Sequence, residues 1–519
     1  MLRKIRLTLA ILFFACITLL FLDFTGTIHL WFGWMAKIQF LPAVLGLNLG
    51  IVALLVVLTL VLGRMYCSVI CPLGVFQDIV SWLNGRRGKK KKFRFSYSPA
   101  LSWLRYAMLG VFIVALVAGF GSVVALLAPY SSYGRIASNF FAPVYRWGNN
   151  LLAYLAERAD SYAFYETDVW LKSLPTFLIA LATLVVIIIL AWRNGRTYCN
   201  TICPVGTVLG FLSKYALFRI TIDADKCNAC GLCSRKCKAA CINGKTHEVD
   251  YSRCVACMDC IDTCAHDAIH YRLASRLPKE SPGNKTQPDS PAGQNAEGAS
   301  RRSFLTATAL LATSALLEAQ EKKVDGGLAT IKDKKIPNRL TPILPPGARS
   351  ARHFAQHCTG CQLCVSACPN NVLRPSTDLM KLMQPEMSYE RGYCRPECSR
   401  CAEVCPTDAI HLTDLAEKSA TQVGHAVWVR QNCIVLTDDV ECGNCARHCP
   451  TGAIQMIPLQ GHHRHRHKGG REDGEQDKPR MIPAVNVERC IGCGACENLC
   501  PARPFSAIYV EGHEVQRTI

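Results

Sequence analysis

Cysteine is the residue type that most clearly indicates a chemical role in this sequence, because 30 cysteines occur and most recur at short, fixed spacings. Two groups share the spacing C-x2-C-x2-C-x3-C. Their members are Cys227, Cys230, Cys233 and Cys237, then Cys254, Cys257, Cys260 and Cys264. With this spacing, three neighbouring thiolates can bind one [4Fe–4S] cluster while the fourth reaches a second cluster. Disulfide frameworks do not repeat one spacing in this way, so the pattern favours metal ligation.

The fourth ligands of these two groups are expected to be exchanged, as in bacterial ferredoxins. Cys264 would complete the first cluster and Cys237 the second. A zinc site is the alternative, but it would use four sulfurs per ion and no remote ligand. Neither group has the usual proline after its last cysteine, since Lys238 and Ala265 stand there. Cys241 is therefore an alternative ligand to Cys237.

Four more groups of four cysteines follow towards the C-terminus, and each ends in Cys-Pro. The first and last have the standard spacing, whereas the first gap is longer by one residue in the second group and spans eight residues in the third. They are Cys358, Cys361, Cys364 and Cys368; Cys394, Cys398, Cys401 and Cys405; Cys433, Cys442, Cys445 and Cys449; and Cys490, Cys493, Cys496 and Cys500. The spacing predicts four further [4Fe–4S] clusters, about six in the chain, without deciding which groups exchange their fourth ligands.

Two short cysteine pairs form an internal repeat. The stretches G-R-M-Y-C-S-V-I-C-P-L-G and G-R-T-Y-C-N-T-I-C-P-V-G hold Cys67 and Cys71, and Cys199 and Cys203. A C-x3-C pair lies on one helix face, and the repeat implies two equivalent hairpins facing each other, so four thiols could converge. They could ligate a metal or cluster, cycle as a redox disulfide, or support a turn before proline; we favour a redox role. Cys16, alone in an apolar segment, is expected to be an inert core residue.

Four apolar segments are long enough to cross a bilayer, which needs about 20 residues. They are Ile5–Phe24, Phe40–Gly63, Leu101–Ala128 and Leu174–Trp192. Lys and Arg concentrate before the first segment, between the second and third, and after the fourth. The positive-inside rule then places these three stretches in the cytoplasm. The sequence predicts a four-helix transmembrane domain.

An export-like signal lies in the middle of the chain, at Ser300–Ala319. Arg301 and Arg302 precede an apolar run without charge, which is typical of a twin-arginine signal. An amphipathic helix is the alternative, but the absence of charge argues against it. The run is the length of a signal core and short for a full span, so it is either a signal or a fifth span. The histidine-rich tract Gly461–Gly470 could bind a metal, but we favour a solvated loop.

Composition and missing motifs exclude several functions. The formal net charge is +19, but a cluster with four thiolates carries roughly −2, so most of the excess would be neutralised. The remaining basic run, Arg86–Arg94, lies between two predicted spans, which argues against nucleic-acid binding. No haem attachment motif, flavin or nicotinamide motif, or P-loop occurs. His29 is the only histidine before His247, so the predicted spans cannot hold a bis-histidine haem.

The predicted spans, both C-x3-C-P repeats and the following two-cluster module resemble the NapH/MauN-type membrane iron–sulfur proteins. The twin-arginine segment with four cluster motifs after it resembles the NapG/MauM-type polyferredoxins. The resemblance implies a fusion that oxidises membrane quinol and passes electrons to a periplasmic reductase or carrier protein. An alternative is a redox assembly or maturation factor for a metalloenzyme, which would use the C-x3-C-P thiols and the clusters. A third interpretation is a regulator that faces the cytoplasm, in which the internal signal is not used for export.

The expected architecture is multi-domain, with a transmembrane helical domain and α+β bacterial-ferredoxin-like domains, one with two clusters and one with four. We expect a membrane domain at 1–214, a two-cluster domain at 215–273 and a four-cluster domain at 350–519. Between them lie a flexible linker (274–299), the signal or fifth span (300–320) and an extended linker (321–349). The expected location is a bacterial inner membrane, with the first ferredoxin-like domain cytoplasmic and the second periplasmic.

Overall fold

The computed structural model describes residues 2–85, 95–273, 332–459 and 480–519. The basic run, the flexible linker, the twin-arginine segment and the histidine-rich tract all lie outside these ranges. We refer to residues 2–85 and 95–217 as the helical domain, to 218–273 as the first cysteine-rich module, and to 332–459 with 480–519 as the second cysteine-rich module.

The helical domain contains both long helices and helices of one or two turns. They are α1 (Leu2–Leu22), α2 (Thr27–Phe32), α3 (Trp34–Lys37), α4 (Phe40–Leu45), α5 (Leu49–Leu62), α6 (Met65–Val69), α7 (Pro72–Gly85), α8 (Ser102–Ala118), α9 (Gly121–Leu127), α10 (Pro129–Ile136), α11 (Ala142–Glu157), α12 (Leu174–Asn194), α13 (Thr197–Thr201) and α14 (Pro204–Ser213). A short π-helix (Ala137–Phe141) joins α10 to α11.

Two helices of the described chain, α1 and α12, are long and apolar enough to cross a membrane. The four continuous spans predicted from sequence are therefore not confirmed, because the other two segments are interrupted. Phe40–Gly63 is divided into α4 and α5 at Leu47, whose φ is 51°, and the side chain of Asn48 caps α5. Leu101–Ala128 is divided at Gly119, which ends α8 in the left-handed conformation with φ 78°. Such caps satisfy backbone groups at the ends of helices that apolar patterning alone would join.

The two sequence repeats occupy equivalent structural positions. In each repeat a longer helix ends at a glycine, a one-turn helix carries the first cysteine, and proline begins the next helix. Helices α5, α6 and α7 thus correspond to α12, α13 and α14. Proline suits the first turn of a helix, since its missing N–H would have no intrahelical partner there.

A buried charge network joins the two repeats to the first cysteine-rich module. The carboxylate of Asp78 on α7 accepts hydrogen bonds from Arg196 Nε at 2.9 Å and Nη2 at 2.8 Å. Arg6 of α1 donates to the same carboxylate at 3.3 Å, and Lys238 Nζ lies 3.8 Å from it. Burial alone would raise the pKa of Asp78, but the charges of Arg196 and Lys238 hold that pKa well below its usual value. Asp78 is therefore ionised and holds three cations together.

The cysteine-rich modules are built from short antiparallel strand pairs and one-turn helices. Strands of the first module are β1 (Phe218–Ile222), β2 (Ile242–Asn243), β3 (Glu248–Val249) and β4 (Ile269–Leu273), with α15 (Leu232–Lys236). Strand β1 pairs with β4 and β2 with β3. Pairing the first strand with the last closes the module around its cysteine turns.

The second cysteine-rich module repeats this plan on a larger scale. Its strands are β5 (Leu373–Pro375), β6 (Pro385–Met387), β7 (Thr421–Trp428), β8 (Ile454–Pro458), β9 (Met481–Val485) and β10 (Ile508–Thr518). Its helices are α16 (Ala351–His357), α17 (Leu363–Ala367), α18 (Arg400–Glu403), α19 (Leu415–Ala420), α20 (Ile434–Thr437), α21 (Asn444–Arg447) and α22 (Ala495–Asn498). The pairs are β5–β6, β7–β10 and β8–β9. Residues 332–349 also bind this module, since Arg339 of that segment pairs with the buried Glu497 at 2.5 Å.

The two modules contact opposite ends of α1. At its start, Arg3 donates to Asp259 of the first module at 2.8 Å. Beyond its end, the carbonyl of Thr25 accepts a hydrogen bond from Arg400 of the second module at 3.1 Å. An α-helix rises 1.5 Å per residue, so the 21 residues of α1 separate these contacts by about 30 Å.

We predict that Asp78→Asn destabilises the protein by about 3–5 kcal/mol, because it leaves buried arginines without their anion. The measurement is thermal unfolding of the purified protein in detergent. Asp262→Asn is the matched control: its bridge to Arg3 joins two side chains that are each more than 40% exposed, so it should cost under about 1 kcal/mol. Equal unfolding temperatures for the two variants would show that the network does not hold the domains together.

Candidate iron–sulfur and thiol centres

Cysteines of the last two groups form two mixed quartets in the second cysteine-rich module. Two cavities show the arrangement. One is lined by Cys433, Cys442, Cys445 and Cys500. The other is lined by Cys490, Cys493, Cys496 and Cys449. Each quartet takes three thiols from one group and the fourth from the other.

The first two groups of this module are exchanged in the same way. Cys394, Cys398 and Cys401 line a cavity together with Cys368. Cys364 interacts with Cys358 and Cys361 of its own group and with Cys405 of the next. The structure thus pairs the first group with the second and the third with the fourth. The spacing of the cysteines alone does not decide this pairing.

The surroundings of these quartets fit a [4Fe–4S] cluster. The cavities are lined by apolar side chains and sulfur, including Trp428, Ile434 and Met456 around the first of them. The backbone N–H of Ala507 donates to Cys500 Sγ at 3.3 Å, the kind of bond that stabilises cluster thiolates. Burial raises the pKa of Cys361 to about 12. Such a thiol stays protonated at neutral pH unless a metal ion binds it.

The first cysteine-rich module brings together most of the predicted ligands. Cys260 interacts with Cys257, Cys254 and the remote Cys237, which is the expected exchange. Cys233 interacts with Cys227 and Cys230 of its own group. A hydrogen bond of 2.8 Å between Asn228 and His266 holds that group beside the segment that follows Cys264.

Cys241 lies in the same site as Cys237. Their sulfurs are 3.5 Å apart, and Cys241 also hydrogen-bonds to Cys254. Both side chains are fully enclosed, with exposures of 1% for Cys241 and 6% for Cys237. Either thiol is therefore placed to serve as the remote ligand.

The four thiols of the C-x3-C-P repeats converge on one buried centre in the helical domain. Cys203 interacts directly with Cys199, Cys71 and Cys67, and each of the four side chains is 4% exposed. Burial raises the pKa of Cys71 and of Cys203 well above the usual value. We call these four residues the thiol centre. In Cys71 and Cys203 this burial favours the neutral thiol unless a metal binds it.

The thiol centre has an approximate two-fold arrangement, as expected from the internal sequence repeat. Arg64 of the first repeat donates to the carbonyl of Cys199 at 3.2 Å, and Arg196 of the second donates to the carbonyl of Cys67 at 2.6 Å. Gln77 also donates to Cys199 Sγ at 3.2 Å. These residues were not identified from sequence, although the Gly-Arg dipeptide that begins each repeat was a visible signal for the two arginines.

Polar groups connect the thiol centre to a cysteine quartet on either side. Arg64 donates to the carbonyl of Ser252 at 3.1 Å and interacts with Cys254 of the first module. On the other side, Tyr198 interacts with Cys203 and Arg135. Arg135 in turn interacts with Cys361 of the second module. Sulfur sites therefore follow one another through the helical domain.

Family models match both kinds of site. A 4Fe-4S binding domain matches residues 44–90 and 175–223, which contain the two C-x3-C-P repeats. A 4Fe-4S dicluster domain matches residues 357–409 and 433–503, the two pairs of groups that the structure joins. The chain thus contains 4Fe-4S domains of the ferredoxin type.

Curated relatives belong to the same broad class. The chain is 28% identical over 229 residues to the ferredoxin-type protein NapH of Haemophilus influenzae, covering 42% of this chain and 66% of NapH. It is 26% identical over 198 residues to the methylamine utilization ferredoxin-type protein MauN of Paracoccus denitrificans, covering 38% and 54%. It is 27% identical over 172 residues to the ferredoxin-type protein NapF of Escherichia coli, covering 33% and 87%. These similarities support an iron–sulfur electron-transfer role, and the resemblance to NapH and MauN is confirmed at this level; the fusion with a NapG-type partner stays a prediction.

We predict that Gly206→Ala disrupts the thiol centre, because the added methyl group would stand 2.2 Å from the carbonyl oxygen of Cys199. Alkylation of Cys199 and Cys203 in the native protein, read by mass spectrometry, should then increase. Gly110→Ala is the control, since its methyl group would meet nothing within 4 Å on an exposed helix face. Equal alkylation in the two variants would show that the close glycine contact does not shape the centre.

Proposed function

We propose that this protein is a membrane-bound iron–sulfur electron carrier that takes electrons from the quinol pool, with menaquinol as the expected donor, and passes them to a periplasmic reductase or carrier protein. The observation that carries the proposal is the continuous series of sulfur sites. Electrostatic contacts through Arg64 connect the first cysteine-rich module to the buried thiol centre, and contacts through Tyr198 and Arg135 connect that centre to the second cysteine-rich module. A series of closely spaced redox groups that links two ends of a protein is what electron transfer requires.

About six [4Fe–4S] clusters would be held by the cysteine quartets. The ligand sets are Cys227, Cys230, Cys233 and Cys264; Cys254, Cys257, Cys260 and Cys237 or Cys241; Cys358, Cys361, Cys364 and Cys405; Cys394, Cys398, Cys401 and Cys368; Cys433, Cys442, Cys445 and Cys500; and Cys490, Cys493, Cys496 and Cys449. Each bound cluster supplies reversible one-electron redox chemistry. The protein supplies burial and N–H···S hydrogen bonds, which set the potential. The double match of a dicluster domain supports the last four sets.

The thiol centre would be the redox link between the modules. Four buried sulfurs with Arg64 and Arg196 beside them suit either a bound metal centre or a pair of disulfides, because the guanidinium charges stabilise thiolates. The match of a 4Fe-4S binding domain to both repeats favours a bound cluster.

The two modules would face opposite sides of the membrane. Helix α1 is one of the two helices able to span it, and the modules contact its opposite ends. The distribution of Lys and Arg assigns the first module to the cytoplasm. The twin-arginine pattern would export the second module with its clusters already inserted.

A second candidate function is redox assembly of another metalloenzyme. The buried thiol centre favours it, since thiols that alternate between a reduced and an oxidised state can reduce or transfer a metal. The two functions differ in their electron source. An assembly factor needs no quinol, and deleting it would lower the metal content of its target rather than electron flow.

We predict that a menaquinol analogue reduces the clusters of the purified protein in detergent, as read by EPR. Cys199→Ser should interrupt the series, so that quinol reduces clusters on one side of the thiol centre only while dithionite still reduces all of them. Cys16→Ser, a buried cysteine of α1 outside every proposed site, is the control and should behave like the parent protein. If quinol does not reduce the clusters of the parent protein, electron transfer from quinol is refuted and the assembly role is favoured.

We also predict opposite protease sensitivity of the two modules in intact spheroplasts. Added protease should degrade the second cysteine-rich module, while the first becomes accessible only after lysis. Western blots with tags placed after residue 519 and within residues 86–94 give the readout. Protection of both modules before lysis would contradict the proposed change of compartment.

A further inference from the structure

The short loop after α1 is organised around a buried carboxylate. Asp23 is 5% exposed and accepts hydrogen bonds from the backbone N–H groups of Gly26 at 2.7 Å and Ile28 at 2.9 Å. It also accepts one from the hydroxyl of Thr25 at 2.9 Å. The backbone N–H groups of Thr25 and His29 donate to it as well, and hydrogen bonds of this kind stabilise the ionised form of a carboxyl group. The carboxylate is therefore ionised at neutral pH.

His29 on α2 is oriented by this carboxylate. Its Nδ1 lies 3.1 Å from Asp23 Oδ2, and its side chain is 8% exposed. Because an ionised carboxylate can only accept, Nδ1 carries the hydrogen, and in the neutral imidazole the free lone pair is then on Nε2. Within the part of the chain that the structure describes, Nε2 is buried and has no hydrogen-bond partner. A buried polar atom without a partner is destabilising, and in a native protein it calls for a functional explanation.

An apolar surface adjoins His29. Leu30, Trp31 and Trp34 on α2 and α3 are 82%, 77% and 51% exposed. Exposed tryptophans at the end of an apolar helix are typical of the membrane interface. A ligand with a polar ring and a long apolar tail would suit this combination of an unpaired acceptor at Nε2 and exposed apolar side chains on the residues that follow His29 in the chain.

A cysteine quartet lies directly behind the same loop. Arg400 donates to the carbonyl of Thr25 at 3.1 Å. The same arginine lines the cavity of Cys368, Cys394, Cys398 and Cys401. Gly26, with φ 84°, leaves room for the guanidinium, which a side chain at that position would displace. The loop that carries His29 is therefore joined through Arg400 to this quartet.

We propose that Nε2 of His29 binds a hydroxyl of the membrane quinol and accepts its proton, and that Asp23 is the residue that positions the imidazole. The proposal rests on the proposed function and names the residues that would bind the quinol. Oxidation of quinol to quinone releases two protons and two electrons. One proton goes to Nε2, giving an imidazolium beside the Asp23 carboxylate, and the other goes to water at the membrane surface. The two electrons would be accepted one at a time by oxidised [4Fe–4S] clusters, one of which Cys368, Cys394, Cys398 and Cys401 behind Arg400 would hold.

The test compares His29→Gln with His411→Gln, an exposed histidine of the second module, in the full-length protein with its clusters. Loss of one hydrogen bond should weaken binding of a quinoline N-oxide, an analogue that cannot be oxidised, by about tenfold, measured by tryptophan fluorescence. Loss of the proton acceptor should slow EPR-detected reduction by menaquinol about 10²–10⁴-fold. Reduction by dithionite and iron content should not change. His411→Gln should match the parent protein in every measurement.

Two further variants test the proposal even if the His29→Gln protein fails to assemble. Asp23→Asn keeps the imidazole but loses the ionised acceptor, and it should slow reduction by quinol with little change in the binding of the analogue. Trp31→Ala changes a side chain that is 77% exposed, and it should weaken binding of long-tailed quinones more than of menadiol. If the parent protein is not reduced by menaquinol, the proposed function itself fails. If it is reduced and these variants bind and react equally well, the assignment of His29 is wrong.

Discussion

The arrangement of the two repeats in the helical domain depends on the buried interactions of the Arg196 side chain. Its guanidinium is fully buried, and it donates both to the carboxylate of Asp78 and to the carbonyl of Cys67. One side chain therefore joins the second repeat to the backbone of the first and to the anion that also binds Arg6 and Lys238. Because a buried guanidinium without an anion is very costly, the two hairpins cannot separate without losing the whole network. The geometry of the thiol centre follows from this, since Cys67 and Cys199 are positioned by the arginine of the opposite repeat.

The structure of the cysteine-rich modules depends on a different constraint, because a quartet takes its fourth thiol from another group of cysteines. Cys500 completes a quartet with the group that contains Cys433, and Cys449 completes the quartet of the group that contains Cys490. Two chain segments must therefore be packed together before either quartet exists. With strands as short as Leu373–Pro375, backbone pairing alone gives little stability. On the proposed assignment, cluster binding and folding are one process, which is why a module with its clusters would have to be exported folded.

Sequence reasoning is most informative where chemistry is carried by local spacing. The six groups of cysteines and the convergence of Cys67, Cys71, Cys199 and Cys203 needed only short-range patterns and one internal repeat. It was weaker where long-range packing decides. Apolar composition joined Phe40–Gly63 into one span, although Leu47 and Asn48 end one helix and begin another there. The pairing of the last four groups depends on tertiary contacts that spacing does not encode. The pair of Asp23 and His29 was missed for a related reason, since a lone histidine becomes informative only when its unpaired Nε2 is seen.

On the proposed assignment, Arg135 would couple buried charge to electron transfer inside the helical domain. It is fully buried on α10, and its hydrogen bonds go to neutral oxygens, those of Ala125 and Ser132. A buried cation with only neutral acceptors is unfavourable unless an anion lies nearby. Its electrostatic partners are Tyr198 beside the thiol centre and Cys361 of the second module. On the proposed assignment, a cluster with its thiolates at Cys361 supplies that anion, and an added electron would increase the attraction. Arg135 would then stabilise the reduced form of the cluster nearest the thiol centre and favour electron transfer towards it.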